Sequence, residues 1–295
     1  AGRMRMDEND ENAAPSGGYA AVNLLVENNE SDAEDYGSII DAFNQDRKSI
    51  DRHVTQEAHE IIESDPELKN CKSTVIYNPR WMKGIVGIVA SRLIETYFRP
   101  TVVLTQSNGF ATGSARSVPG FDLYQAVESC ADLLENFGGH MYAAGLTMRP
   151  ENVGEFTRRF NAYVEENIDP QMLVPQVDVD AELLFSEITP AFRRELKRFE
   201  PFGPGNAAPI FATRSVSNRG DAKLVGAECE HLRMDLTQRQ KPNTTLQCIA
   251  FQQPEHFEWI RSGRPVDVCY QIVENHYRGT VSTQLRIKDI KRVEK

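Results

Sequence analysis

The chain has 295 residues, 40% of them hydrophobic and 26% charged, with a net charge of −10. That composition suits a globular protein with room for two domains. It excludes a membrane-spanning segment, since no apolar run is long enough, and the opening residues carry no signal-peptide pattern.

The charge is unevenly spread. Residues 1–67 carry 5 Lys and Arg against 17 Asp and Glu, whereas from Arg193 onward 18 basic residues face 12 acidic ones. A mildly basic C-terminal third can attract phosphate backbones, although asymmetry of this size is common. The five cysteines (Cys71, Cys130, Cys229, Cys248, Cys269) are scattered and show no CxxC spacing. That argues for reduced thiols in a cytoplasmic protein, used for packing rather than for zinc.

In chain order, residues 7–18 read as an acidic loop and 19–26 as a short helix. Residues 31–64 read as one long helix, with Ser31 as N-cap and Glu34 completing a capping box. Its apolar stripe runs through Tyr36, Ile40, Phe43, Ile50, Val54 and Ile61. If those side chains lack a neighbour, artificial dimers are expected. Residues 72–77 alternate as a strand. A turn over 81–87 leads into a helix ending at Arg99–Pro100. Residues 101–105 form a β-branched strand and 110–117 a second strand running into a loop. An amphipathic helix is expected over 122–137, stopped by Gly138–Gly139. A strand over 143–148 and a helix over 151–167 complete an alternating α/β layer. Residues 170–179 read as a linker. Beyond a short helix at 190–199 and the turn FGPGN come five short strands near 209–216, 231–237, 245–251, 266–273 and 281–290. That succession predicts a small β-barrel.

Two motifs carry chemistry. GGHMYAAG at 138–145 places His140 among residues with almost no side chain, so a ligand can approach the backbone. GSARS at 113–117 places Arg116, with its planar fork, between Ser114 and Ser117. Together they read as two loops gripping a phosphate. The blander account of GGH is a glycine C-cap followed by a packed histidine. Lys83, in WMKGIVGIVASRL, is a candidate contact to a phosphate backbone. The glycines of that segment suit either an anion at the helix start or tight helix packing. In the barrel region Arg219, Lys223, Arg233, Arg239, Lys241, Tyr270, Tyr277, Arg278 and Arg286 lie near strand ends, where basic and aromatic residues can hold a single strand. The six histidines are dispersed, and none sits in a metal-binding cluster.

GGHMYAAG resembles the signature of the DHH-associated domain of DHH-family phosphoesterases. WMKGIVGIVASRL, RFEPFGPGNAAPIF and the opening AGRM narrow the resemblance to the C-terminal part of RecJ-family exonucleases of single-stranded DNA. Relatives often have His where Met82 stands. The resemblance implies three parts: the end of a DHH domain and a bridging helix (1–67), a DHH-associated α/β domain (68–170), and a linker with an all-β OB-fold (171–295). His140 would then contact the scissile or adjacent phosphate. Gly138 and Gly139 would line its path, and Ser114, Arg116 and Ser117 would bind substrate.

The family's two Mn2+ or Mg2+ ions would be held by a preceding domain, because no Asp-His-His run stands in this chain. The intact protein would be a 5′-to-3′ exonuclease of DNA repair and recombination. This part would bind single-stranded DNA weakly and hydrolyse nothing alone. A single-strand-binding protein or a helicase is a possible partner class. Two other readings are a DHH-superfamily phosphoesterase of small molecules or oligonucleotides, which usually lacks the barrel, and a non-catalytic strand-binding module.

Overall fold

The computed structural model describes residues 17–238, 244–277 and 279–293. The chain divides into two compact units between Pro175 and Gln176. The expected loop over 7–18 lies almost wholly outside the described residues, as do Arg239, Lys241 and Arg278. No described helix is long and apolar enough to cross a membrane.

In the first unit, α1 (Gly17–Val26) precedes the long α2 (Glu30–Ser64). The N-cap of α2 is Asn29 rather than Ser31: its side chain accepts the Ser31 N–H at 3.0 Å. Asn is among the strongest N-caps, and its two-residue reach displaces the expected capping box. Only the C-terminal half of α2 enters a core, through Val54, Ala58 and Ile62. Ile62 takes the buried position expected for Ile61, and Ile40, Phe43 and Ile50 are half-buried.

After α3 (Pro66–Asn70), a five-stranded sheet is built in the order β1-β2-β3-β5-β4. Its strands are β1 (Thr74–Tyr77), β2 (Thr101–Ser107), β3 (Phe110–Arg116), β4 (Leu134–His140) and β5 (Ala143–Met148). β1 and β2 are parallel and joined through α4 (Val86–Tyr97); every other pairing is antiparallel. Val86, Val89, Ala90 and Leu93 give α4 one apolar face, which packs with α2 on one side of the sheet. Phe98 ends the helix in the left-handed conformation. α5 (Leu123–Glu128) and α6 (Val153–Asn167) fill the other side, where Phe156, Phe160 and Val164 are fully buried.

The helix expected over 122–137 is overturned. α5 stops at Glu128, a 3-10 turn follows, and residues 134–140 form β4. Helical periodicity holds only through Leu123, Ala126, Val127 and Cys130, which bury against the sheet. Beyond them the backbone satisfies its hydrogen bonds by pairing with β5, and the glycines do not act as a helix stop.

The α2–α4 seam carries a polar chain. The Tyr97 hydroxyl lies 3.1 Å from His59 Nδ1 and donates to Glu63 at 3.0 Å, and Lys69 pairs with Glu63 at 2.6 Å. Burial pushes His59 below the usual imidazole value of 6.5, and the bonds from Lys69 and Tyr97 hold Glu63 below the usual 4.5. Both depressed groups bind fewer protons when folded, so their contribution is complete at neutral pH and disappears on acidification. Thermal melts will therefore show stability falling as pH drops from 7 towards 5. His59→Gln will flatten that slope, whereas an unchanged slope would refute the assignment.

In the second unit, α7 (Pro190–Lys197) is followed by β7 (Phe211–Asn218), β8 (Lys223–Val225), β9 (His231–Gln238), β10 (Thr245–Ala250), α8 (Phe257–Arg261), β11 (Val266–Tyr277) and β12 (Thr280–Arg292). A two-residue β6 (Ala181–Glu182) flanks β7. Because β7 also pairs with β9, strands β7-β9-β10-β12-β11 close on themselves. β10 and β12 run parallel, and α8 lies between the third and fourth barrel strands. This is the five-stranded OB arrangement. The FGPGN turn is closed by reciprocal backbone bonds between Gly203 and Asn206.

Candidate nucleic-acid interface

The two motifs lie on adjacent strands, not on two loops. In register, Arg116 faces Ala143, and Ala143 faces His140; Ser114 faces Gly145, and Gly145 faces Gly138. Cross-strand partners share a face, and so do residues two apart on one strand. Arg116, His140, Ser114, Gly138 and Gly145 therefore stand on one side of β3-β5-β4. Ala115 and Ala144, on the opposite side, are buried in the core.

The result is a floor of minimal side chains bounded by a guanidinium and an imidazole. Two inter-strand spacings put the Arg116 and His140 backbones about 10 Å apart. Gly138, His140 and Gly145 are exposed, and Arg116 and Ser114 are half-buried.

Three glycines shape this site for different reasons. A Cβ at Gly138 would meet nothing within 4 Å. A Cβ at Gly139 would lie 2.2 Å from the Ala143 carbonyl oxygen, so the hairpin closes only without one. A Cβ at Gly87 would stand 3.0 Å from Arg116 Nη2 and 3.2 Å from Ser114 Oγ. The first turn of α4 is thus notched to admit these two groups, which settles on packing the role left open for the glycine there. Arg116 Nη1 donates to the Ala115 carbonyl at 2.9 Å, turning the guanidinium.

The Tyr142 N–H donates to His140 Nδ1 at 3.3 Å. With Nδ1 accepting, the neutral ring carries its proton on Nε2, the nitrogen left to donate to an oxyanion. Ser117 is used differently: its hydroxyl donates to the Phe121 carbonyl at 2.8 Å and its N–H to the Tyr142 carbonyl at 3.0 Å. Lys83 is exposed in the turn before α4. Trp81 is buried there and donates to Glu57 at 2.6 Å.

The barrel carries a groove of about 700 Å³ lined by His231, Arg233, Gln247, Ile249, Phe251, Ser282 and Gln284, among others. Phe251 is 46% exposed. Its ring meets His231 edge-on at 4.9 Å, and the Arg286 guanidinium lies over it at 5.9 Å. Lys223 pairs directly with Arg233 across β8 and β9. Such like-charged neighbours repel, and an anion relieves the repulsion.

Of the other barrel candidates, Arg219 is exposed beyond β7, and Tyr277 ends β11 opposite Thr280. Tyr270 is not at the surface: it is fully buried, with its hydroxyl 2.7 Å from Thr213. Sequence reading missed Phe251 and His231. Alternation along β9 and β10 was the available signal, but it does not say which barrel face is open.

An α/β sheet with a bare floor, followed by a closed OB barrel, defines a class: a DHH-associated domain joined to an OB-fold. Residues 70–166 match the DHHA1 domain and 179–289 the RecJ OB domain. The chain thus carries a DHHA1 domain followed by a RecJ OB domain.

It is 31% identical over 272 residues to the single-stranded-DNA-specific exonuclease RecJ of Bacillus subtilis, covering 91% of this chain and 34% of that protein. The Salmonella typhimurium exonuclease of that name is 32% identical over 280 residues, covering 91% and 47%. The chain thus spans between a third and a half of the length of these curated relatives. The crystal structure of RecJ from Thermus thermophilus in complex with Mg2+ superposes with a TM-score of 0.73 at 26% identity, covering 94% of this chain and 41% of that one. The same protein was also solved with Mn2+.

Among the described residues no group of three or more His, Cys, Asp and Glu can hold a metal ion. They do not fit a two-ion centre. What they offer a phosphodiester is hydrogen bonds and charge.

Proposed function

We propose that this chain grips the single strand for a 5′-to-3′ exonuclease of DNA repair and recombination. The row Arg116–Ala143–His140 would hold one backbone phosphate, and the barrel groove, in the other unit, would bind single strand on its own. The observation that carries this reading is the placement of a donor imidazole and a guanidinium on one open face floored by glycine. In the whole protein, divalent ions bound by other residues would supply the attacking hydroxide and stabilise the leaving oxygen. His140 would donate a hydrogen bond to, and Arg116 would neutralise charge on, the oxygens outside that exchange. The barrel favours a long strand over a small-molecule phosphoester, because a groove of this size suits several nucleotides.

The test is binding of 5′-phosphorylated single-stranded and duplex oligonucleotides, read by fluorescence anisotropy. The single strand will bind more tightly, and the chain alone will leave it uncut. His140→Ala and Arg116→Ala will each weaken binding by about tenfold, the effect of one charge-assisted hydrogen bond. The double substitution will cost less than the product of the two, because both groups act on one phosphate. Equal affinity for duplex, or no loss in the double variant, would sink the proposal.

A further inference from the structure

Beside the barrel face just described, a second groove of about 350 Å³ runs between α7 and the β11–β12 hairpin. Its cationic lining is Arg193 and Lys197 from α7 and Arg286 from β12. Two carboxylates, Glu200 and Glu274, also line it. Lys197 pairs with Glu274 at 3.1 Å, and Glu274 also feels the charge of Arg193, so the lining holds three cations against two carboxylates.

Arg193 is held but incompletely satisfied. One of its terminal nitrogens donates to the Thr283 hydroxyl. Its Nε is buried and has no hydrogen-bond partner among the described residues. The Arg193 side chain also lines the groove, where an anion would offset its positive charge.

The groove also adjoins the barrel face described above. Arg286 lines it while its guanidinium lies over the Phe251 ring of the first groove. Ser282 and Gln284 of β12 line the first groove, whereas Thr283 lines the second. The β11–β12 hairpin therefore stands between two grooves, and Arg286 reaches from the second to the Phe251 ring of the first.

We infer that the α7 groove is a second phosphate station, in which Arg193 takes a backbone phosphate of a single strand that has crossed Phe251 and rounded the hairpin at Arg286. The inference rests on the proposed strand binding and extends it to a face outside the barrel mouth. Recognition would be of phosphate, not of base, because the lining supplies charge and hydrogen-bond donors without an ordered set of base-edge partners.

Length dependence tests it. Affinities of the chain are measured for oligothymidylates of about 5 and about 20 nucleotides, which bracket the site sizes of single OB-folds. Arg193→Gln will weaken the long oligonucleotide by about tenfold and leave the short one unchanged. It will also lower the salt dependence of long-strand binding by roughly the 0.7 logarithmic units expected for one single-strand phosphate. Arg193→Lys will restore part of the long-strand affinity. Circular dichroism melts of each variant exclude a folding defect.

Equal loss for both lengths, or no loss for either, would overturn the second station. Inorganic phosphate binding that depends on Arg193, without a length effect, would also overturn it by assigning the groove to a small anion. Phe251→Ala separates the two readings. If it weakens neither oligonucleotide, the barrel face itself fails, whatever Arg193 does.

Discussion

Gly139→Ala will destabilise the first unit by about 2–3 kcal/mol, while its neighbour Gly138→Ala will change stability by no more than about 0.5 kcal/mol. The two glycines look equivalent in sequence and differ only in what surrounds them. The added Cβ at Gly139 meets main chain, the Ala143 carbonyl at 2.2 Å and Ala144 Cα at 2.6 Å, which no rotamer change relieves. At Gly138 it enters open space on the floor beside Gly145. Binding will invert the order of harm per unit of stability. Gly138→Ala will fold normally and still lose about tenfold in single-strand affinity, since a methyl group stands where a phosphate must approach backbone. Denaturant melts and anisotropy on the same pair check both halves. If Gly138→Ala binds as the parent does, the floor is not a phosphate surface.

Arg99→Ala will have the largest effect on folding, about 3–4 kcal/mol by chemical denaturation. Arg99 is 5% exposed. Its guanidinium donates to the carbonyls of Leu68 at 2.9 Å and Lys69 at 3.0 Å, to the Cys71 carbonyl, and to the Thr74 hydroxyl at 2.7 Å. Leu68 and Lys69 belong to the end of α3, where Arg99 adds to the single capping bond that the Cys71 N–H shares between Glu67 and Leu68. One side chain thus fastens α3 to the first strand of the sheet. Burial lowers the pKa of Arg99, yet the planar fork keeps every contact that a lysine could not reach together. Arg99→Lys will accordingly recover less than half of the loss. A full rescue would show that charge, rather than the fork, is what α3 requires.

Much of the α/β layer was legible because local pattern and final environment agree. TVVLT is β-branched and becomes β2, all five residues buried. The i, i+3, i+4 spacing of Val86, Val89, Ala90 and Leu93 meets α2 as an amphipathic face should. The five main barrel strands were legible from alternation bounded by turns. The short β6 and β8 were not, because two or three residues are too few to show a period. The failures occurred where two local signals competed. Residues 122–137 begin with a helical repeat and end with a strand, and only pairing with β5 decides where one gives way to the other.

The residue types of the candidate site were set by sequence alone: an imidazole and a guanidinium, each set among glycine, alanine and serine. Their meeting was not. Arg116 and His140 are 24 positions apart, and what makes them neighbours is the insertion of β5 between β3 and β4, a long-range register that no local window contains. Gly87 shows the same division. Its absence of a side chain is written in the chain, but the reason for it, room for Arg116 and Ser114, exists only once α4 has packed across β3. Local chemistry follows from covalent structure and short-range periodicity. Juxtaposition follows from burial and hydrogen-bond pairing between segments distant in the chain, and those are properties of the folded whole.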